Sequence, residues 1–441
     1  MRESSLIGHL LEFAAAGDPL PSDIRLQQFF RRRRYLGPRE RRFISDRYFG
    51  ILRNRRLLET MAASGAEASG IPLPSSHAAL YALYALVFCG EERERLPALV
   101  APFWGGEVHP GDLARWLEAA SMADLPSAVK ADPAELLAVE TSMPSAAAAE
   151  WTARLGVEEA RRLARALNEE APVVVRVNTL RADRDRVMRA LEREGVEAAP
   201  TPYAPAGLIL ARRIPLGGSA SFAAGSYELQ DEGSQILSHL LEVEPGMTVL
   251  DACAGAGGKS LHLAALMENR GLIVATDADR RRLLRLPPRA RRSGASIVRV
   301  APEARPDAVY VRMAGKADAV ILDVPCSGTG IYRRSPWLKF PPPGAWERLE
   351  AVQADILRAC APCVRPGGRL LYCTCALRQA ENEAQIARFL AAHPVFHQVP
   401  AGEILRRQGI AIDSGGAGLT LAPHRTGTDG FFAAVLVRES R

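Results

Sequence analysis

The sequence predicts a multidomain chain: an all-α front, a small α/β domain, and a larger α/β domain built on a mostly parallel sheet. Three observations carry that prediction. The chain has 441 residues, more than one ordinary domain holds. Its first ~125 residues place apolar side chains at three- and four-residue spacing with few β-branched runs, as helices do. From about residue 225 onward, short apolar runs alternate with helical segments, which implies parallel strands covered on both faces.

In the front domain, residues 1–125, Pro38 suits the first turn of a long helix through Leu58, where its missing N–H has no partner to lose. Ala78 to Cys89 is wholly apolar, but its 12 residues are too few to span a bilayer and read as a core helix. Residues 126–144 hold Pro126, Pro133 and Pro144 among small residues and read as a linker. A helical segment from Ser145 to Asn168 opens the second domain, 145–224. There Pro172 to Val177 reads as a strand, Asp183 to Glu194 as a helix and Gly207 to Ala211 as a strand, with RNA-recognition-like proportions. In the third domain, 225–441, strand runs are expected at Thr248–Asp251, Leu272–Thr276, Ile297–Val300, Ala319–Leu322 and Arg369–Cys373.

Composition excludes whole classes. The 48% hydrophobic and 24% charged fractions are ordinary for a globular chain with enough material for a core. Arg2, Glu3, His9 and Glu12 interrupt the apolar residues of the N-terminus, so no signal peptide is expected. Six of the seven cysteines lie between Cys253 and Cys375, which points to chemistry or metal before disulfide staples. Membrane, secreted and disordered classes are set aside, and a cytoplasmic protein is expected.

Charge is concentrated at one place. Lys plus Arg exceed Asp plus Glu by 6, yet Arg25 to Arg56 holds 12 Arg against Glu40 and Asp46, an excess of +10, so the rest of the chain sums to −4. Interleaved with Phe29, Phe30, Tyr35, Phe43, Tyr48 and Phe49, this block suits a nucleic-acid-binding surface. Arg31, Arg32, Arg33, Arg34, Arg41 and Arg42 are its candidate contacts; the alternative is a solvated helix face.

Three strand ends carry the chemistry. The first runs into Asp251-Ala-Cys-Ala-Gly-Ala-Gly-Gly-Lys259 and then a helix. Glycines there let the backbone turn tightly and approach a ligand. Cys253, Ala254, Gly255, Ala256, Gly257, Gly258 and Lys259 are therefore expected to cradle a nucleotide-like cofactor; an ordinary turn is the alternative, and Walker A spacing is not met. Asp277, ending the second strand, is placed to accept hydrogen bonds from a ribose diol, or to cap the Arg-rich helix that follows. Asp323-Val-Pro-Cys-Ser-Gly-Thr-Gly330 and Tyr372-Cys-Thr-Cys375 end two later strands and would bring Cys326 and Cys375 into one crevice. Inert buried thiols are the alternative. Zinc on Cys360-x-x-Cys363 and Cys373-x-Cys375 is disfavoured, because the first pair closes a helix and the second lies at a strand end.

At these residues the chain resembles the Sun-type, RsmB-like RNA cytosine-5 methyltransferases. The matching stretches are Gln230-Asp-Glu-Gly-Ser-Gln235, the glycine loop, Asp323 to Gly330, Thr374-Cys375 with Glu381-Asn-Glu383, and Asp429-Gly-Phe-Phe432. Arg176-Val-Asn-Thr179 is similar to the family's small RNA-binding domain, and Leu36 to Arg53 resembles the NusB-like helical domain. Three departures stand out: Gly255-Ala256 replaces Ala-Pro in the loop, Glu303 stands near an expected adenine-side Asp, and Ser335-Pro336-Trp337 replaces His-Pro-Asp/Glu.

The resemblance implies a Rossmann-like class I methyltransferase domain, S-adenosylmethionine as cofactor, and RNA, most of all 16S rRNA, as substrate. It assigns Cys375 as the nucleophile that adds to carbon 6 of cytosine and Cys326 as the thiol assisting release. Asp323 would meet both the base's N3 edge and the cofactor pocket, with Lys259 lining the same pocket or lying on the surface as a helix N-terminal lysine. Rival readings are action on tRNA, a DNA-type enzyme whose Pro-Cys loop supplies the nucleophile, and an RNA-binding scaffold without turnover. No metal or membrane partner is expected, and a monomer is.

Overall fold

The computed structural model describes residues 3–17, 22–72, 76–105, 109–214, 216–303 and 305–440. They divide into two compact units, one of residues 1–169 with 332–340, the other of 170–331 with 341–441.

The first unit is helical throughout. Its longest helix, Pro38–Ser69, starts with the proline in its first turn and stops at Gly70, whose φ of 67° gives a left-handed cap. Ser76–Cys89 packs its apolar side chains into the same core. Gly50 on the long helix admits a close approach: a Cβ there would lie 1.9 Å from the Tyr84 hydroxyl. Trp104 and Trp116 meet edge-to-face at 4.8 Å in the centre.

The expected linker is ordered helix instead, Ser127–Ala131 followed by Pro133–Glu140. Its prolines start helices and do not break them. Pro133 lies in a first turn capped by Asp132, and Pro144 caps Ser145–Leu155. Leu137, Ala138 and Val139 are buried, so this stretch belongs to the unit's body. The expected helix from Ser145 to Asn168 breaks in two at Gly156, whose φ is 78°.

The second unit holds two sheets. The small one comprises β1 (Val173–Val177), β2 (Ala198–Pro200), β3 (Gly207–Leu210) and β4 (Tyr227–Leu229), in the order β2-β3-β1-β4 and antiparallel throughout. β4 lies beyond residue 224, so the small domain runs further than its expected boundary. The helix Arg184–Arg193 covers this sheet, capped by Asp183, which accepts from the Arg186 N–H.

The large sheet comprises β5 (Thr248–Asp251), β6 (Leu272–Ala275), β7 (Val298–Val300), β8 (Ala317–Asp323), β9 (Val364–Thr374), β10 (Phe396–Val399), β11 (Leu419–Leu421) and β12 (Phe431–Arg438). The order is β10-β12-β9-β8-β5-β6-β7, with β11 pairing on β12. β5 to β9 run parallel; β12 is antiparallel to β9, β10 and β11. Val249 and Ile321 pack into one core, Leu250, Val320 and Leu322 into the other, so successive side chains are buried on opposite faces.

The two sheets are joined by polar contacts. Asn178 donates from Nδ2 to the carbonyls of Gly225 and Ser293, both at 2.8 Å. Gln230 to Gln235 works as joinery: Gln230 Oε1 accepts from Arg176 Nε at 2.6 Å, and Glu232 Oε1 accepts from the Tyr203 and Ala204 N–H groups at 2.6 and 2.8 Å. That motif is structural.

Candidate active site

Parallel strands end on one edge of the sheet, and ligands of open α/β sheets bind outside those carboxyl ends. Register brings the functional residues together there. Asp251 pairs with Ala275 and Ile321, two residues before Asp277 and Asp323, and Asp323 pairs with Cys373, two residues before Cys375.

The glycine loop turns as its composition predicts. Gly255 and Gly257 have φ of 53° and 87°, left-handed values that strain any side chain. A Cβ on Gly257 would also lie 2.1 Å from Leu286 Cδ1. The departure at Gly255 thus coincides with a backbone conformation that favours glycine. Gly258 opens the helix Gly258–Leu266 with clear space beside its Cα.

Asp277 braces this loop. Its Oδ2 accepts from the Gly255 N–H and its Oδ1 from the Asp279 N–H, each at 2.7 Å. The cap of the Arg-rich helix is Asp279, which accepts from the Arg281 and Arg282 N–H groups at 2.9 and 3.2 Å. Capping therefore falls to the neighbour, two residues on.

Lys259 is buried, not a surface lysine, and its Nζ donates to Asp323 Oδ2 at 2.6 Å. Burial works against its charge, but the Asp323 carboxylate outweighs burial and raises its pKa. Asp251 is buried, with Oδ2 accepting from Ser260 Oγ at 2.5 Å and Oδ1 without a partner among the described residues. Burial above all, with the nearby Asp323 and Asp277 charges, pushes its pKa up to about 7.

Cys326 and Cys375 come together, Sγ to Sγ at 3.3 Å, both partly buried. The hydrogen bond to Cys375 raises the Cys326 pKa well above the thiol range; burial and the Cys375 and Glu381 charges add to it. Either sulfur can serve as the S–H donor of the pair. The Gly330 N–H donates to the Cys375 carbonyl at 2.9 Å, and the Gly430 N–H to the Gly330 carbonyl at 2.8 Å. A Cβ on Gly330 would strike Gly430 O at 2.2 Å, and one on Gly430 would lie 2.7 Å from Gly330 Cα, so this approach calls for glycine at both positions, the second in the terminal Asp429-Gly-Phe-Phe432 stretch.

Of the other thiols, Cys373 lies 3.8 Å from Asp323 Oδ1. Burial raises the Cys253, Cys360 and Cys373 pKa values, and that of Cys363 to about 11. Cys363 S–H donates to the Tyr310 carbonyl at 3.4 Å. Among the described residues no group of three or more His, Cys, Asp or Glu side chains is arranged to hold a metal. Glu303 is held by Arg312 at 2.5 and 3.3 Å. Ser335-Pro336-Trp337 belongs to the helical unit, where Trp337 lies 6.0 Å from the Phe49 ring.

The candidate nucleic-acid contacts divide into two groups. Arg33 pairs with Glu12 and lies 3.9 Å over the Phe29 ring. Arg41 donates from Nε to the Leu36 carbonyl at 2.8 Å, and Arg42 pairs with Asp46 at 3.2 Å in solvent. Arg31, Arg32 and Arg34 are exposed, as is Arg39, which the sequence pattern does not single out. Nor does it single out Gln353, which is fully buried; Ser327, Thr329 and Asn382, at most 4% exposed beside the two cysteine loops, lie within the motif stretches, where the sequence assigns them no role of their own.

Comparison with known proteins fits this geometry. A family model described as 16S rRNA methyltransferase RsmB/F matches residues 238–437, and a second, the ferredoxin-like domain of RsmF/B-like methyltransferases, matches residues 143–217. The probable ribosomal RNA small subunit methyltransferase B of Bacillus subtilis is 33% identical over 308 residues, 68% of this chain and 67% of that protein. The chain belongs to the RsmB/F family of rRNA methyltransferases. Its relative from Pseudomonas syringae pv. tomato, ribosomal RNA small subunit methyltransferase B, is 32% identical over 62% of this chain and 60% of its own length.

The solved structure of PH0851 superposes with a TM-score of 0.77 at 26% identity, covering 99% of each chain. NSun6 from Pyrococcus horikoshii, solved with SFG, shares the fold at a TM-score of 0.58 and 22% identity over 66% of this chain and 97% of its own. This RsmB/F-family chain is an rRNA methyltransferase that depends on S-adenosylmethionine. The loop fits that cofactor: its glycines keep side chains off the backbone, and the buried, unpartnered Asp251 Oδ1 can accept from a ligand. Among the described residues no helix is long and apolar enough to cross a membrane.

Proposed function

We propose that this protein methylates carbon 5 of a cytosine in 16S rRNA, in the cytoplasm, through a covalent adduct on Cys375. The observation that supports it is the 3.3 Å approach of Cys326 and Cys375. S-adenosylmethionine supplies an electrophilic methyl group; Cys253 to Lys259, Asp277 and Asp323 would hold it.

Carbon 5 of cytosine is a poor nucleophile, and a thiolate adding to carbon 6 makes it enamine-like. Cys375 forms that bond. Negative charge builds towards N3 as it does so; a proton taken from solvent and shared between N3 and the Asp323 carboxylate, beside the Lys259 cation, neutralises it. Carbon 5 then bonds to the methyl group, whose former bonding pair stays with the sulfur that carried it. Loss of the carbon 5 proton to solvent restores the double bond and expels Cys375 as N3 gives up its proton. The neighbouring Cys326 S–H receives the departing thiolate as a hydrogen-bond donor. A stacked base cannot be reached this way, so the target is unpaired or splayed out.

In this reading the helical front is NusB-like and holds RNA phosphates through the exposed Arg31, Arg32, Arg34 and Arg39, while the small domain adds RNA contacts beside the catalytic domain. Bisulfite sequencing of 16S rRNA from cells with and without this protein tests the reading. One cytosine protected only when the protein is present supports it. Identical protection at every cytosine overturns it.

A further inference from the structure

Glu381 and Asn382 take no part in the chemistry above, yet they are 0% and 2% exposed. A buried carboxylate is tolerated when donors surround it, and Glu381 has them. Oε1 accepts from the Ser327 N–H at 2.8 Å and from Gln353 Nε2 at 2.9 Å; Oε2 accepts from Ser327 Oγ at 2.5 Å, with the Arg378 guanidinium 3.7 Å away. The same Gln353 Nε2 donates to the Pro325 carbonyl at 3.0 Å. Pro325 and Ser327 are the two neighbours of Cys326.

Asn382 does the same for the other thiol. Its Oδ1 accepts from Thr374 Oγ at 2.7 Å and its Nδ2 donates to the Ala376 carbonyl at 2.9 Å. Thr374 and Ala376 are the two neighbours of Cys375. One cysteine is thus bracketed through Glu381 and the other through Asn382, and a single peptide bond joins the brackets. The backbone is tied down as well, because Tyr372 Oη donates to the Glu381 carbonyl at 2.6 Å.

We propose that Glu381 and Asn382 are positioning residues whose dipeptide fixes the spacing of the two thiols, and so sets whether an RNA adduct turns over or stalls. This rests on the two-thiol reading above. Removing the Glu381 bracket frees the Cys326 loop while Cys375 stays held, so addition proceeds and release slows. Removing the Asn382 bracket frees Cys375 itself, so addition slows and nothing accumulates.

The test uses the full chain, S-adenosylmethionine and unmodified transcribed 16S rRNA, with adducts read on denaturing gels beside single-turnover methyl transfer. Cys326→Ala and Cys375→Ala run alongside. Glu381→Ala should accumulate adduct about tenfold over wild type, through Cys375, and Glu381→Gln should restore turnover in part, since its amide oxygen can still accept from Ser327 and Gln353. Asn382→Ala should slow adduct formation about tenfold without a stalled band. Ser327→Ala, which deletes one hydroxyl, should shift the balance the way Glu381→Ala does, by less, and decides the matter if Glu381→Ala does not fold.

Trapping by Cys326→Ala but by neither Glu381→Ala nor Ser327→Ala overturns the positioning role alone. Equal loss of addition and release in the Glu381 and Asn382 variants overturns it too. No trapping by Cys326→Ala overturns the two-thiol reading, and the inference with it.

Discussion

The Sγ atoms of Cys326 and Cys375 lie 3.3 Å apart although 49 residues separate them in the chain. Their loops follow β8 and β9, neighbouring parallel strands, and Gly330 N–H bonded to the Cys375 carbonyl locks one loop on the other. Their surroundings differ: the neighbour of Cys326, Ser327, donates its N–H to the buried Glu381, whereas the neighbour of Cys375, Thr374, donates its hydroxyl to Asn382. The proposed mechanism gives the two thiols different work, addition for Cys375 and release for Cys326.

Their substitutions should therefore fail differently. Cys375→Ala should lose methylation by at least about a thousandfold and form no adduct, since no nucleophile remains. Cys326→Ala should still add to the base and accept the methyl group, then stall with RNA on Cys375. A slow band on a denaturing gel, absent in the double variant, would report it. The reverse pattern, RNA trapped by Cys375→Ala, would move the nucleophile to the Pro-Cys loop.

Much of this site is legible in the sequence because strand ends announce themselves. Thr248–Asp251 and Leu272–Ala275 are short apolar runs stopped by acid or glycine, so their chemistry-bearing termini can be located. β10, β11 and β12 cannot be placed in the sheet the same way, since antiparallel pairing across Arg369 to Val437 is set by distant partners. The expected linker turns out helical because proline signals helix start and chain break alike. The brackets around the cysteines are invisible in the sequence for a related reason: Gln353 reads as an ordinary helix residue until folding buries it against Pro325.

Asp277 should bind the cofactor as well as brace the loop. Both its oxygens accept one backbone N–H, and a carboxylate oxygen has capacity for a second donor. Losing hydrogen bonds to a charged group costs about 1.5–3 kcal/mol, so Asp277→Ala should raise the S-adenosylmethionine dissociation constant roughly ten- to a hundredfold by calorimetry, with unfolding still cooperative. Unchanged affinity would leave Asp277 as a brace only.

RNA affinity should reside in the exposed arginines and not in the whole basic block. Arg33 and Arg41 are occupied by Glu12, Phe29 and the Leu36 carbonyl. Removing one phosphate-binding charge should reduce the slope of log affinity against log salt by about 0.7–0.9. Replacing Arg31, Arg32, Arg34 and Arg39 with Gln should flatten the slope by up to about 3.6. Arg33→Gln should lower the melting temperature and leave the slope nearly unchanged. An unaltered slope in the fourfold variant would place the RNA elsewhere.

Asp251 should make stability fall as pH rises, against the usual behaviour of a paired carboxylate. Its folded pKa, about 7, lies above the ordinary 3.8, so between those values the folded state binds more protons than the unfolded one. Stability from this group is then full below about pH 4, declines by ~1.4 kcal/mol per pH unit, and is lost once pH passes about 7. His262 and His239 have lowered pKa values through burial and act with the opposite sign, losing stability as pH falls through their ordinary range. Asp251→Asn keeps both histidines, so subtracting its unfolding free energy from that of the wild type removes their contribution. The asparagine can still meet Ser260 Oγ but has no charge to bury. Urea melts from pH 5 to 8 without cofactor should show the wild type losing ground to Asp251→Asn up to about pH 7, with a constant difference above it. A difference that stays flat from pH 5 to 7 would mean that Asp251 is ionised throughout and that Lys259 and Ser260 compensate for its burial.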